Sequence, residues 1–124
     1  MNTFNILIKS SEEHKEFLTE EDCYILEILN ETDDRSQSIA RARIEPGITT
    51  KWHQLKDTSE VFYILSGEGR VEIGDEKFWE VKAGDVVRIP ANTPQRMVNV
   101  GTKDLLFLCF CTPAFGEESY EALE

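Results

Sequence analysis

Two stretches decide how this chain folds: residues 47–67, GITTKWHQLKDTSEVFYILSG, and residues 84–99, GDVVRIPANTPQRMVN. Each opens on a glycine that follows a turn residue, Pro46 before Gly47 and Ala83 before Gly84. Glycine reaches positive φ without steric cost, so such positions break one strand from the next. Within the first stretch, Thr49 to Leu55 and Glu60 to Leu65 read as strands, and Gly67 and Gly69 punctuate the turn after them. Within the second, Asp85 to Ile89 is a strand closed by Pro90. Proline cannot donate to a sheet ladder, so it belongs at a corner. Asn92 stands at the next corner, and Asn is a side chain able to adopt the left-handed conformation.

The same grammar extends outward in both directions. Ser38 to Ile44 alternates, with Ala40, Ala42 and Ile44 on one face and Arg41 and Arg43 on the other. Cys23 to Leu29 carries apolar groups on both faces. Arg70 to Ile73, Gly74-Asp75 and Lys77 to Val81 form a hairpin with a tight turn. Gln95 to Val100 and Leu105 to Cys111 are the last two strands, and Pro113 stops the sheet. Ser10 to Glu21 is read as one short helix, and the acidic segment after Gly116 as another. Many short strands with turn signals between them predict an all-β sandwich or barrel, because a parallel α/β fold needs intervening helices.

With 124 residues the chain has the length of one domain and can bury a core without staples. Its division is expected to be an N-terminal extension over 1–35, a barrel over 36–115 and an acidic tail over 116–124. The formal net charge is −11, and no run of Lys or Arg makes a basic patch, so no nucleic-acid partner is expected. No apolar stretch is long enough for a membrane span, and none is expected. The three cysteines, Cys23, Cys109 and Cys111, come without a signal-peptide pattern, which argues for reduced thiols and a cytoplasmic location. Cys109 and Cys111 share a face of the last strand, where apolar packing is expected of both.

The two opening stretches resemble the paired motifs of the cupin superfamily. The first family motif, G-x5-H-x-H-x(3,4)-E-x6-G, falls on Gly47, His53, Leu55, Glu60 and Gly67. The second, G-x5-P-x-G-x2-H-x3-N, falls on Gly84, Pro90, Asn92, Gln95 and Asn99. The spacing holds throughout, seven of the ten positions match, and the resemblance covers roughly residues 38 to 111. It implies a double-stranded β-helix, or jelly-roll barrel, with a short N-terminal extension. It also implies a homodimer, and the two-sided apolar strand from Cys23 to Leu29 agrees, since a strand swapped from a partner would cover its outer face.

The departures concern chemistry. In metal-binding cupins the two His and the Glu of the first motif and the His of the second hold one divalent ion. Residues two apart on a strand point the same way, so His53 and position 55 face one lumen. Position 55 is Leu and the second-motif position is Gln95. With His14 and His53 the only histidines, a three-His site cannot be assembled within the chain.

His53 is read either as a lumenal acid/base or lone remaining ligand, or as a buried, hydrogen-bonded side chain. Glu60 is read as a second acid/base, its carboxyl raised if it faces the lumen with few charged neighbours, or as a structural carboxylate. Gln95, Lys51 and Arg43 are the expected substrate-binding groups. His53, Glu60 and Gln95 with water form the reduced metal set, for Zn, Ni, Fe or Mn if any metal is held. Three functions are compatible with these residues. One is an isomerase-, epimerase- or dehydratase-like enzyme acting on a small polar metabolite by proton transfer. Another is a divalent-metal-dependent dioxygenase or metal-assisted isomerase. The third is a module that binds a small ligand without chemistry.

Overall fold

A computed structural model describes residues 4–75 and 77–124. Eleven strands run in order: β1 (Phe17–Leu18), β2 (Tyr24–Leu29), β3 (Ser38–Ile44), β4 (His53–Leu55), β5 (Ser59–Ser66), β6 (Glu68–Ile73), β7 (Lys77–Lys82), β8 (Val86–Ile89), β9 (Gln95–Asn99), β10 (Leu105–Thr112) and β11 (Tyr120–Ala122). They make two antiparallel sheets. One has the order β1-β2-β3-β10-β5-β8 and the other the order β11-β4-β9-β6-β7. Chain-distant strands lie side by side in both, which gives the jelly roll its double-stranded β-helix.

Alternation decides which side chains the two sheets enclose. In β3, Ala42 and Ile44 face inward and are 1% and 0% exposed, while Arg41 and Arg43 lie on the opposite face. Ile64 and Phe62 on β5, Leu105 and Phe107 on β10, Val71, Ile89 and Met97 complete the core. Phe62 and Phe107 meet at 4.9 Å between ring centroids, tilted by 59°. Each large apolar side chain taken out of water there contributes roughly 1.5–3 kcal/mol.

The motif residues earn their places by backbone geometry. Gly67 has φ +91, and a Cβ there would lie 2.7 Å from the Asp104 carbonyl oxygen. Asn92 takes φ 60 in place of a glycine, and its side-chain oxygen accepts the Asp57 backbone N–H at 3.0 Å. Asn99 is 2% exposed and closes a corner by itself. Its Nδ2 donates to the carbonyls of Ile44 and Lys103, both at 2.8 Å, and its Oδ1 accepts the Gly101 N–H at 2.9 Å.

The two ends depart from the sequence expectation. Over residues 10–21 the chain makes only one 3₁₀ turn, Glu13–Lys15, and then the two-residue β1. Charge accounts for this. Glu13 and Glu16 reach across to the arginines of β3, with Arg41 donating to Glu13 at 2.8 and 2.7 Å and Arg43 donating to Glu16 at 2.7 Å. The 3₁₀ turn sets Glu13 and Glu16, three residues apart, over the same sheet face, where both meet the β3 arginines. The acidic segment after Gly116 makes one 3₁₀ turn, Glu117–Ser119, and then becomes β11, paired with β4.

The outer face of β2 was expected to need a partner's strand. Within one chain Leu26 on that face is 3% exposed, and residues 9–12, Lys15 and Phe17 line a pocket beside it. Exposed apolar groups of that sheet lie on its other strands: Phe17 and Leu18 on β1, Tyr63 and Leu65 on β5, Val86 on β8 and Phe110 on β10.

Asn99→Ala leaves two carbonyls and one N–H unsatisfied at a buried corner. The expected loss is about 2–4 kcal/mol of unfolding free energy, read by urea denaturation. A loss within about 0.5 kcal/mol of zero would show that water replaces the amide at no cost.

Candidate functional site

Four strands and one turn bring the site together. His53 and Gln95 sit directly opposite each other on β4 and β9 of the five-stranded sheet. Glu60 comes from β5 in the other sheet, paired with Cys111 of β10 and Ile89 of β8. The Gln95 Nε2 donates to Glu60 Oε1 at 3.0 Å, so one buried hydrogen bond crosses the lumen from sheet to sheet. The second carboxylate oxygen of Glu60 accepts the Cys111 thiol at 3.7 Å. His53, Glu60 and Gln95 are 9%, 8% and 2% exposed.

Burial dominates the electrostatics. It lifts the Glu60 carboxyl to about 7, against the opposing pull of the Gln95 amide and the His53 imidazole. The thiols of Cys23, Cys109 and Cys111 are likewise pushed up by burial, with Glu60 adding to the effect in all three. They are inert, protonated lining rather than nucleophiles.

Two further residues complete the cluster, and neither was singled out in the sequence. Glu21 lies in the turn between β1 and β2, and its Oε2 is 3.3 Å from His53 Nδ1. Tyr120, the first residue of β11, stacks on the imidazole at 5.1 Å between centroids and 19° between planes. Its hydroxyl donates to Glu21 Oε2 at 3.3 Å. Burial raises the Glu21 carboxyl, while His53 and the Tyr120 hydroxyl pull it down. Burial also pushes the Tyr120 hydroxyl up to about 12. Both residues stand outside the two motifs, in the end segments read as helices, so motif spacing gave no signal for them.

Lys51 and Arg43, expected at the substrate, lie elsewhere. Arg43 alternates with the inward Ala42 and Ile44, so it points out. There it bonds Glu16 and Asp104, the latter at 3.2 Å, and lies 4.1 Å over the Tyr24 ring. Lys51 is exposed. Its parity with His53 assumed a strand from Thr49, but β4 begins only at His53, and Thr49 makes an isolated bridge to Val98. The enclosed cluster therefore holds two carboxyls, one imidazole and no Lys or Arg.

The donors do not fit a resident divalent ion. Leu55 fills one ligand position, both oxygens of Glu60 accept hydrogen bonds, and Gln95 turns its amide N–H toward Glu60. Among the described residues no three His, Cys, Asp or Glu side chains are grouped to hold a metal.

Comparison with known proteins agrees with this architecture. A family model described as Cupin domain matches residues 40–111. MJ1618 of Methanocaldococcus jannaschii, an uncharacterised protein, is 34% identical over 126 residues, which span 100% of both chains. An oxalate-binding protein of Thermotoga maritima is 33% identical over 75 residues, 60% of this chain and 61% of its own. Among solved structures, a Klebsiella pneumoniae protein with a double-stranded β-helix domain superposes with a TM-score of 0.75 at 16% identity. That match covers 90% of this chain and 93% of the other.

The raised Glu60 carboxyl sets a pH dependence of stability. Between its unfolded value of 4.5 and its folded value of about 7, the folded state binds more protons than the unfolded one. Stability therefore falls as pH rises through that window, by about 3 kcal/mol if Glu60 acts alone, and Glu21 adds in the same direction. Glu60→Gln is neutral at every pH and can still accept from Gln95. In urea melts it is expected to exceed the wild type at about pH 8 and to lose that advantage near pH 4.5. A gap between the two proteins that does not change with pH would remove the assignment.

Proposed function

The chain belongs to the cupin family, and we propose that it binds a small polar molecule in the barrel lumen and acts on it by proton transfer. His53 and Glu60 carry the protons, and Gln95 orients the bound molecule. The observation that carries the reading is a buried carboxyl near 7, held across the lumen by Gln95, whose strand neighbour is His53. A carboxyl at that value exists in both protonation states near neutral pH, as an acid/base catalyst requires.

The reaction that suits this pair is isomerisation, epimerisation or dehydration of a hydroxylated, carbonyl-bearing compound. His53 takes the proton from the carbon beside the carbonyl. Glu60, protonated, gives its proton to the carbonyl oxygen, so the enol forms without net charge. Reketonisation or loss of the neighbouring hydroxyl as water completes the cycle. A metal-dependent dioxygenase or isomerase is disfavoured by the donor set.

The similarity to an oxalate-binding protein favours a second reading, a module that holds a small oxygen-rich ligand without turnover. Two carboxyls with no lumenal Lys or Arg suit a neutral hydroxy-carbonyl compound better than a dicarboxylate dianion. We place the protein in the cytoplasm on the strength of its free thiols, Cys23, Cys109 and Cys111. We also propose a homodimer, supported by the exposed apolar groups Tyr63, Leu65, Val86 and Phe110 on the outer face of the six-stranded sheet.

His53→Ala is expected to lose turnover of such substrates by at least about a hundredfold while its circular dichroism and melting stay native. Full activity in that variant sinks the proton-transfer reading, and ligand-induced stabilisation without turnover in the wild type favours the binding module. Elemental analysis of the untagged chain accompanies the assay. Near-stoichiometric metal that disappears in Glu60→Ala would restore the metal reading. For assembly, light scattering at micromolar concentration is expected to give twice the chain mass, and a monomer there removes the dimer.

A further inference from the structure

We propose that Glu21, delivered by the N-terminal extension, is a positioning residue that holds the His53 imidazole with its proton on Nδ1 and its Nε2 lone pair free for chemistry, and that Tyr120 clamps both. The inference builds on the acid/base reading of His53, but its evidence is geometric.

Nδ1 faces two acceptors. The Lys51 carbonyl oxygen is 2.9 Å away and the Glu21 carboxylate 3.3 Å away. Neither can donate while Glu21 is ionised, so the hydrogen bond to the Lys51 carbonyl and the pull of the nearby carboxylate both favour the proton on Nδ1. Nε2 has no hydrogen-bond partner among the described residues. A neutral imidazole with Nδ1 protonated presents Nε2 as its basic nitrogen, the atom a proton-abstracting role needs.

Tyr120 fixes this arrangement from two directions. Its ring lies nearly parallel to the imidazole, which limits rotation, and its hydroxyl donates to the same Glu21 oxygen that faces Nδ1. The turn that carries Glu21 is itself built to hold position. The Thr19 N–H and hydroxyl both donate to the Cys23 carbonyl, at 2.9 and 2.8 Å, and Asp22 takes φ 65. Cys23 beside it is 2% exposed and anchored in the core. The arrangement is an orienting carboxylate, a histidine and a free ring nitrogen, the order found wherever a histidine must keep one tautomer. Here the carboxylate comes from the extension rather than from the barrel.

The test reads the imidazole directly, by long-range nitrogen–proton correlation on the isotope-labelled chain at about pH 9. His14 and His53 are the only histidines, so His14→Gln assigns the spectrum. In the wild type, His53 is expected to show one protonated Nδ1 and one unprotonated Nε2. In Glu21→Ala the ratio of the two tautomers should fall by roughly ten- to a hundredfold, the worth of a close charge contact at a largely buried site. Glu21→Gln keeps a neutral acceptor and should recover part of the ratio, and Tyr120→Phe should lower it by a smaller factor. An unchanged ratio in Glu21→Ala overturns the proposal. If that variant does not fold, Glu21→Gln decides, since a ratio equal to wild type there also overturns it. No substrate enters the measurement, so a chain that turns nothing over would defeat the acid/base reading and leave this result standing.

Discussion

The hydrogen bond from Gln95 to Glu60 is the constraint around which the interior is arranged. A carboxyl with 8% exposure has no water to satisfy it, so the protein must supply every partner. Gln95 supplies one from the opposite sheet and Cys111 the other from the neighbouring strand. Both partners are neutral, and neither compensates a full negative charge, which is why burial lifts Glu60 to about 7. A Lys or Arg in place of Gln95 would keep the carboxyl ionised and structural. The neutral amide holds it in place while leaving its proton exchangeable.

The barrel was legible because its physics is local. Alternation in Ser38 to Ile44 separated Ala42 and Ile44 from Arg41 and Arg43, and glycines marked corners that the structure realises at φ +80, +91 and +91 for Gly47, Gly67 and Gly84. The same rule misled at Lys51, where alternation was extended past the point at which the strand begins. Arg43 was offered to the lumen although its own strand's alternation placed it outward. Glu16 and Asp104, distant in sequence, hold it there, and only the tertiary structure shows that pairing.

The ends were not legible, for a different reason. Glu13 and Glu16 resemble the first turn of a helix in sequence, but only one 3₁₀ turn forms, and both carboxylates bond two arginines on β3 that helix propensity does not see. Likewise Tyr120 sits in an acidic segment whose composition suggests a solvated tail. Three residues of β11 suffice to dock it on β4, and the Lys56 N–H to the Ser119 carbonyl at 2.7 Å brings the chain into register. Such short strands carry too little periodicity to be distinguished from coil. The one available signal was the placement of a lone aromatic, Tyr120, among Glu117, Glu118 and Glu121.

The chemistry of the site is set by the groups that stand where metal ligands would. A barrel that coordinates a divalent ion spends its inward positions on donors with free lone pairs. Here Leu55 offers none, Gln95 is committed to Glu60, and Glu60 has both oxygens engaged. Burial shifts Glu21 and Glu60 both upward, but their partners differ. Glu21 accepts from the Tyr120 hydroxyl and lies 3.3 Å from His53 Nδ1, whereas Glu60 accepts from an amide and a thiol. In the proposed function these two carboxyls take separate roles, Glu21 orienting the ring and Glu60 exchanging a proton. On the proposed function, Glu21 and Tyr120 bring the turn before β2 and the strand β11 into the site beside His53.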